Sequence, residues 1–493
     1  MVRVSHFSQH HPKGPCVYWR EGRQHLVSHV MEKGGEVHVR KGLRKLSHTL
    51  NFGMDRVLPD AIVLAFLLTF ITFVMGLILT DSGPLDMVVY WGQGFWGFLS
   101  FSMQMAMIIA TGYIVSEAPP IKRALISLCR IPKNGIQGVV FVAIASAILG
   151  WISWGLGLVA GAILARSVAL NLRKVDFKLY VAVAYTGAIT TGLFGISGSE
   201  FLLVNTPGYF MEALLGLIPL SETVFEPSLL LAQVLGLIIV VPLLAALIHT
   251  NAKDTPEMDA AILDRFLEQE KAALALKQNR KPKSEMTFAE RVDGSPITTL
   301  VIGLGGLVYL VYWFATQGFN LTLDIMNFLL LIIGIICHGS PRNLLTACEE
   351  GVRSAYGVLI QFPFYAGIQG MMASSGLVAI IANAFATHSS ATSFPFLCYF
   401  CMAIINFFIP SSGGIFMVAG PALGQAALDL GVEANKFLIS FTAGETISNI
   451  IQPFWAIPLL GIAGLKMKDI MGYCIIFFVV LTLIFFGVWA VMW

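Results

Sequence analysis

Two stretches of this chain carry side chains that could hold a small ion in surroundings where polar groups are costly. The first reads Thr186, Thr190 and Thr191, then the glycine-rich string GLFGISGSE (192–200), then Asn205, Thr206 and Pro207. The second reads Thr442, Glu445, Thr446, Ser448, Asn449, Gln452 and Pro453, with Pro458 beyond. Thr186 and Thr190 stand four apart, as do Thr442 and Thr446, so each pair shares a helix face. Gly and Pro interrupt both stretches and would free main-chain N–H and C=O groups. Freed N–H groups at a helix start suit an anionic carboxylate. Freed carbonyls joined by hydroxyl and amide oxygens suit a hard cation such as Na+. A packing role stays open for each residue alone, because Ser and Thr in membrane helices also bond to the i−4 carbonyl or across helices, and Gly eases close approach.

Glu445 is the sharpest single residue. It lies inside a long apolar run, and Lys436 is the one Lys or Arg within fifteen positions of it. An intramembrane carboxyl is a functional candidate by default. Low-dielectric surroundings favour the neutral form of such a group, which makes Glu445 a candidate proton carrier. A cation ligand and a neutral structural donor are the other readings. Glu200 is the weaker acid, being nearer the external end of its run, and His249 and His338 fall at expected helix ends as interfacial residues.

The chain that must position these groups has 493 residues, 56% of them apolar and only 12% charged. Soluble domains carry about 25% charged residues. Such a widespread deficit fits a protein whose solvent is mostly hydrocarbon, where a buried charge costs several kcal/mol. The net charge of +2 gives no reason to expect a nucleic-acid partner; the bilayer is the expected one. Seven cysteines show no disulfide framework. Cys398 and Cys401 form a CxxC inside an apolar run, with no second pair to complete a metal or redox site. GxSxG, HExxH and Walker A strings are absent, so no enzyme constellation and no ATP-driven pump is expected. No cofactor is expected beyond Na+ or H+ as a coupling ion.

Apolar runs long enough to span occur at 58–80, 88–116, 178–203, 228–249, 297–317, 323–340, 353–372, 434–463 and 470–493. The first 50 residues hold seven of the ten histidines and have no apolar core of a secretory signal. They read as a cytoplasmic leader, with Met31 and Met54 offering alternative starts. Lys and Arg at 117–134, 166–178 and 250–296 mark these loops as cytoplasmic, whereas the uncharged-to-acidic DSGPLD at 81–86 reads as external. The run 136–165 then has basic flanks on both sides. Thirty residues cannot supply two spans of about 20, so the expectation is a re-entrant hairpin of two arms of about 15, turned at Gly150–Gly157; a single tilted helix would put Arg166 outside. Irregular backbone at membrane depth is tolerated only where protein buries it or it lines a wet cavity.

The run 394–424 carries a similar turn, Asn406 and Pro410 followed by Ser411, Ser412, Gly413 and Gly414. GLGLVAG (155–161) aligns with GIFMVAG (414–420), and YTGAIT (185–190) with FTAGET (441–446), at nearly one offset. The same offset sets 58–80 against 323–340, 88–116 against 353–372 and 228–249 against 470–493. The unmatched 297–317 inverts the second half. The expected fold class is therefore an all-α polytopic membrane protein with an inverted-topology repeat, each half holding a re-entrant hairpin and a broken transmembrane helix. Its parts are a basic His-rich leader (1–56), a first repeat (57–249), a polar cytoplasmic linker (250–296), an extra helix (297–317) and a second repeat (318–493). This places the N-terminus in the cytoplasm and the C-terminus in the periplasm. Secondary transporters of this design bind substrate near the midplane.

The strings LPDAIVLAFLLTFITF (58–73), GLFGISGSE (192–200), NFFIPSSGGIFMVAGPA (406–422) and GETISNIIQPFWAIPLLGIAGLK (444–466) resemble the short-chain fatty acid uptake transporters, over roughly residues 50–493. The last two strings are the most specific, and the long His-rich leader departs from the pattern. The resemblance implies uptake of acetoacetate, butyrate and similar monocarboxylates across the bacterial inner membrane. It implies membership of the broader ion-transporter superfamily, with an elevator-like motion of a hairpin-bearing domain; a homodimer follows only from that analogy. It assigns substrate contacts to Ser411, Ser412, Gly413, Gly414, Thr442, Thr446, Ser448 and Asn449, with Glu445 for coupling. Their counterparts are Ser153, Gly155, Gly157, Thr186, Thr190 and Thr191. The competing readings are a carrier for another small organic anion such as a dicarboxylate, a passive channel, and a membrane-embedded enzyme or receptor. No intramembrane Arg is firmly located, which favours a monoanion over a doubly charged acid.

Overall fold

The computed structural model describes residues 61–97, 99–205, 207–209, 211–249, 285–318, 323–410 and 412–493, with scattered positions in 42–50 and 262–268. Most of the leader (1–56), most of the linker (250–296) and Ser411 lie outside the described residues. Every regular element among those described is helical. The first half holds α1 (Ala61–Leu79), α2 (Pro84–Gly94), α3 (Leu99–Glu117), α4 (Pro119–Leu128), α5 (Gly135–Ile152), α6 (Trp154–Leu172), α7 (Phe177–Phe194), α8 (Ser199–Val204), α9 (Glu212–Leu215) and α10 (Pro227–Ile248). Then come α11 (Phe288–Asp293), α12 (Pro296–Gln317), α13 (Leu323–His338), α14 (Pro341–Ser374) and α15 (Leu377–Thr387). The chain closes with α16 (Phe394–Phe408), α17 (Ser412–Asp429), α18 (Ala434–Ser448), α19 (Ile457–Ala463) and α20 (Met467–Met492). Among the described residues, six spans are long and apolar enough to cross a membrane: α5, α6, α7 continued through α8, α10, α12 and α20.

Several elements differ from the expected runs. The stretch 88–116 is two helices, because the chain turns at Phe95–Gly97, where Gly97 N–H donates to the Gly94 carbonyl at 2.8 Å. Its proposed counterpart 353–372 lies within a single 34-residue helix, α14. The arms of the first hairpin, 18 and 19 residues long, exceed the expected 15 or so. α6 runs on to Leu172 because nearly every side chain from Leu158 to Ala169 is buried and continues its packing.

The core is organised as two similar packets. In one, α5 and α6 pack along each other and on α7; in the other, α16 and α17 pack on α18. α7 and α18 then meet, with α20 against both. α7 is central: every residue from Phe177 to Phe194 except Lys178 is buried. Around this centre, α1, α2, α3 and α13 pack on the long α14, and α3 on α6 joins the two groups. The outer helix α12 turns Ile297, Val301, Val308 and Val311 outward, as a lipid-facing helix does when hydrocarbon replaces water as its solvent.

Candidate functional site

Local chemistry decides where α7 and α18 break. Asp176 caps α7 by accepting from Leu179 N–H at 3.1 Å, which satisfies one of the free donors of the first turn. The helix stops at Gly195, whose extended backbone (φ −90°, ψ −169°) sends the chain into Ile196–Gly198 before α8. Ile196 N–H finds the Trp151 carbonyl on α5 at 3.1 Å, so the break is held by the first hairpin. α18 unwinds after Ser448 through three short i→i+3 bonds, from Ile450, Ile451 and Gln452. Pro453 has no N–H to continue them, and a 3₁₀ turn, Phe454–Ala456, leads into α19.

The two hairpin tips meet these breaks. A single extended residue, Ser153 (φ −155°, ψ 119°), separates α5 from α6 and caps α6 by accepting from Leu156 N–H at 3.5 Å. Trp154 N–H donates to Ser197 Oγ at 3.1 Å in the first break. The Trp154 ring stands edge-on to Trp455 in the second, centroids 5.2 Å apart. At the other tip Ser412 opens α17 and donates to Glu445 Oε1 at 2.5 Å. Asn406, near the end of α16, donates to Asn449 Oδ1 at 2.7 Å, Ser448 Oγ at 2.9 Å and the Glu445 carbonyl at 3.0 Å.

Of the residues expected at a site, Ser412, Glu445, Ser448 and Asn449 are thus joined in one buried network. Thr186 and Thr190 on α7, and Thr442 and Thr446 on α18, are buried with hydroxyl oxygens that make no hydrogen bond. Glu445 Oε2, Asn449 Nδ2 and Gln452 Nε2 share that condition. Buried polar atoms are nearly always paired, so this many around two helix breaks marks a place built for another polar partner. Thr186 lies beside Cys474 and Thr442 beside Glu200, in both cases short of hydrogen-bond geometry.

Other expected residues do different work. Thr191 donates to the Ala147 carbonyl at 2.6 Å and the Gly187 carbonyl at 2.8 Å, the packing role open to any such threonine. Gly157 lets the hairpin arms touch: a Cβ there would lie 2.5 Å from Gly150 Cα. A Cβ on Gly155 would press on Ile108 Cγ1 at 2.9 Å. Gly413 has open space where its Cβ would be, and Gly414 lies in the first turn of α17. Three residues that the sequence reading left out lie in the same buried cluster: Asn406, Tyr185 and Glu200. Tyr185 donates to the Asn449 carbonyl at 2.5 Å, and Glu200 is fully buried. Asn406 and Glu200 had a signal, being an amide and an acid within apolar runs; Tyr185 had none. Among the described residues no group of three or more His, Cys, Asp or Glu could hold a metal ion, and Cys398 and Cys401 are free, buried thiols of α16.

Comparison with known proteins gives this arrangement a family. Two solved transporters are remotely similar. One is Alcanivorax borkumensis YdaH, at 18% identity and TM-score 0.45, covering 88% of this chain and 98% of that one. The other is Neisseria gonorrhoeae MtrF, at 13% identity and TM-score 0.37, covering 89% and 96%. An Escherichia coli (strain K12) protein named "Putative short-chain fatty acid transporter" is 40% identical over 431 residues, 87% of this chain and 96% of its own. A Haemophilus influenzae protein of the same name is 38% identical over 439 residues, 88% of this chain and 96% of its own. The family model described as short chain fatty acid transporter matches residues 42–492, and this multi-pass membrane protein belongs to that family.

Proposed function

We propose that the chain is a secondary transporter that moves short-chain fatty acids such as acetoacetate and butyrate across the cytoplasmic membrane, coupled to a proton or sodium gradient by alternating access. The supporting observation is the set of buried polar atoms without partners, contributed by two broken helices and centred on Glu445. A carboxylate suits the donors in that set, the Thr186, Thr190 and Thr446 hydroxyls and Asn449 Nδ2, and a short alkyl chain suits Trp154 and Trp455 beside them. A monocarboxylate needs no fork-shaped guanidinium, and α7, α8, α17, α18 and α19 contain no Arg. Glu445 serves coupling, either as a proton carrier or as a ligand to Na+.

In this reading Ser153 and Ser411–Gly414 mark the tips of two re-entrant hairpins in halves of inverted topology. The hairpin-bearing packets move against the α1–α3, α13 and α14 group as an elevator. The N-terminus is cytoplasmic and the C-terminus periplasmic, and a homodimer would form through the scaffold helices.

Purified protein reconstituted in liposomes tests the reading, with labelled butyrate uptake followed under imposed proton or sodium gradients, wild type beside Glu445→Gln. Saturable uptake driven by one gradient establishes a carrier and names the ion. Loss of proton-driven uptake in the variant assigns coupling to Glu445. Folded wild-type protein that takes up no butyrate under either gradient would sink the fatty-acid reading, and dicarboxylates would be tried next.

A further inference from the structure

Glu200 stands in the first turn of α8, just past the break that ends α7. It is fully buried, and neither carboxyl oxygen has a hydrogen-bond partner. The Glu445 carboxyl and the Thr442 hydroxyl, both on α18, lie beside it. α8 packs against α17, whose first residue, Ser412, holds Glu445 Oε1. The helix break of the first half and the hairpin tip of the second therefore close on the same two acids. Glu445 Oε2 and Thr442 Oγ1 are without partners as well, so four oxygens with no bond outside their own group lie together.

Among the described residues, the elements around the pair supply no cation to it. α7, α8, α16, α17, α18 and α20 pack on or carry this pair, and their remaining charged residues are Lys178, Asp429, Lys436, Lys468 and Asp469. Each stands within three residues of a helix end. Lys178 bonds to Asp469 and Lys436 to Glu433. Lys436 is nine residues, about 13 Å of helix rise, from Glu445. Of the neighbouring tyrosines, Tyr185 is bonded to the Asn449 carbonyl and Tyr399 to Thr482; the thiols of Cys398, Cys401 and Cys474 are buried. Two carboxylates side by side in a low dielectric cannot both stay ionised without a counter-charge.

We propose that Glu200 and Glu445 form one composite site for a monovalent cation, H+ or Na+, completed by the Thr442 and Ser412 hydroxyls, and that this site must fill before the substrate carboxylate enters. As H+, the cation is an O–H on one carboxyl donated to the other, taken from water and returned to it. As Na+, it is held by the carboxyl and hydroxyl oxygens. Emptied of its cation, the pair would carry two charges and would repel an incoming anion from the neighbouring threonines; one bound cation removes that repulsion. Because each acid comes from a different half of the chain, the site exists only while the halves are aligned here. The inference rests on the carboxylate reading proposed above.

A substrate-free measurement separates the two ideas. The melting midpoint of the purified full-length protein is followed in NaCl against choline chloride at equal ionic strength, and in choline chloride across the neutral pH range. The wild type should be stabilised by one of the two cations. Glu200→Gln and Glu445→Gln, which keep the side-chain shape, should each abolish that dependence while still giving a cooperative transition. In vesicles the matching gradient should stimulate wild-type butyrate uptake about tenfold, in the lower part of the range for coupling between sites, and should not stimulate Glu200→Gln. A wild-type midpoint indifferent to both cations overturns the proposal. So does a Glu200→Gln protein with wild-type cation dependence and gradient stimulation, an outcome that leaves the transport reading intact. Cation dependence that Glu200→Gln abolishes, in a wild type that moves no butyrate, upholds the cation site and overturns the substrate.

Discussion

The phenolic hydroxyl of Tyr185, midway along α7, donates to the main-chain carbonyl of Asn449 at 2.5 Å and lies 3.3 Å from the carbonyl of Gln452. One side chain of the first half thus adds a second donor to the Asn449 carbonyl, which also accepts from Gln452 N–H at 3.2 Å, where α18 unwinds. Asn406 holds the same segment from the other side. The break is therefore braced rather than loose, and its geometry depends on α7 and α16 together.

Tyr185→Phe removes that donor, while the Asn449 carbonyl keeps its bond from Gln452 N–H. The expected loss of stability is about 0.5–1.5 kcal/mol, seen as a lower melting midpoint in detergent. Butyrate uptake should slow as well, because the segment that carries Asn449 is no longer held. A midpoint equal to the wild type would mean the bond contributes nothing.

Ser412→Ala deletes the hydroxyl that meets Glu445 Oε1. Uptake should fall about tenfold, in keeping with the loss of a bond to a charged or polar carboxyl of roughly 1.5–3 kcal/mol, while membrane abundance stays normal. The Ser411/Ser412→Ala double variant should be no better than the single. Full uptake in the double variant removes this hairpin tip from the site.

The two glycine types at the hairpins should behave oppositely. Gly157→Ala forces a methyl against Gly150 Cα, a main-chain clash expected to cost about 1–3 kcal/mol. Gly413→Ala meets nothing within 4 Å and should leave the melting midpoint unchanged. Equal midpoints for the two variants would contradict the packing described for α5 and α6.

Threonines give a sharper contrast between packing and binding. Thr191→Val breaks two hydrogen bonds to carbonyls and should destabilise the fold. Thr186→Val and Thr446→Val remove hydroxyls that bond to nothing in the protein, so stability should hold or rise by about 1 kcal/mol. Their cost should appear instead as a raised KM for butyrate. If all three variants lose stability alike and none changes KM, the threonines serve packing only.

Much of this was legible because membranes make polar residues conspicuous. Glu445 and the Gly- and Pro-broken stretches stand out against apolar runs, and the hairpin tips follow from Ser153 and Ser412 among glycines. What sequence could not supply was partnership across the fold. Glu200 gains its meaning from Glu445, 245 positions on, which no local pattern records. Thr190 and Thr191 are neighbours of one type, yet one bonds to α5 and the other to nothing, a difference set by which way each faces. Gly155 and Gly157 read as a flexible tip because glycine signals both turns and close contact, and here the contact governs. The break inside 88–116 was hidden because its glycines sit in an otherwise continuous apolar run.

The 34 residues of α14 make a rod about 50 Å long, whereas a bilayer with its headgroups is about 40–45 Å thick. Its opening turns carry Arg342, Glu349, Glu350 and Arg353, and Arg342 bonds to the Glu290 carbonyl of α11 at 2.7 Å. Glu349, Glu350 and Arg353 are exposed on one side of these turns, whereas Gly351 on the other side packs against Ala110 of α3 and the helix goes on to contact α1 and α2. Pro363 interrupts the hydrogen-bond ladder of the same helix, so the exposed Glu350 and Arg353 side chains of its opening turns offer an antibody fragment a grip on the part of α14 that precedes that proline, a reference point against which displacement of the hairpins can be gauged.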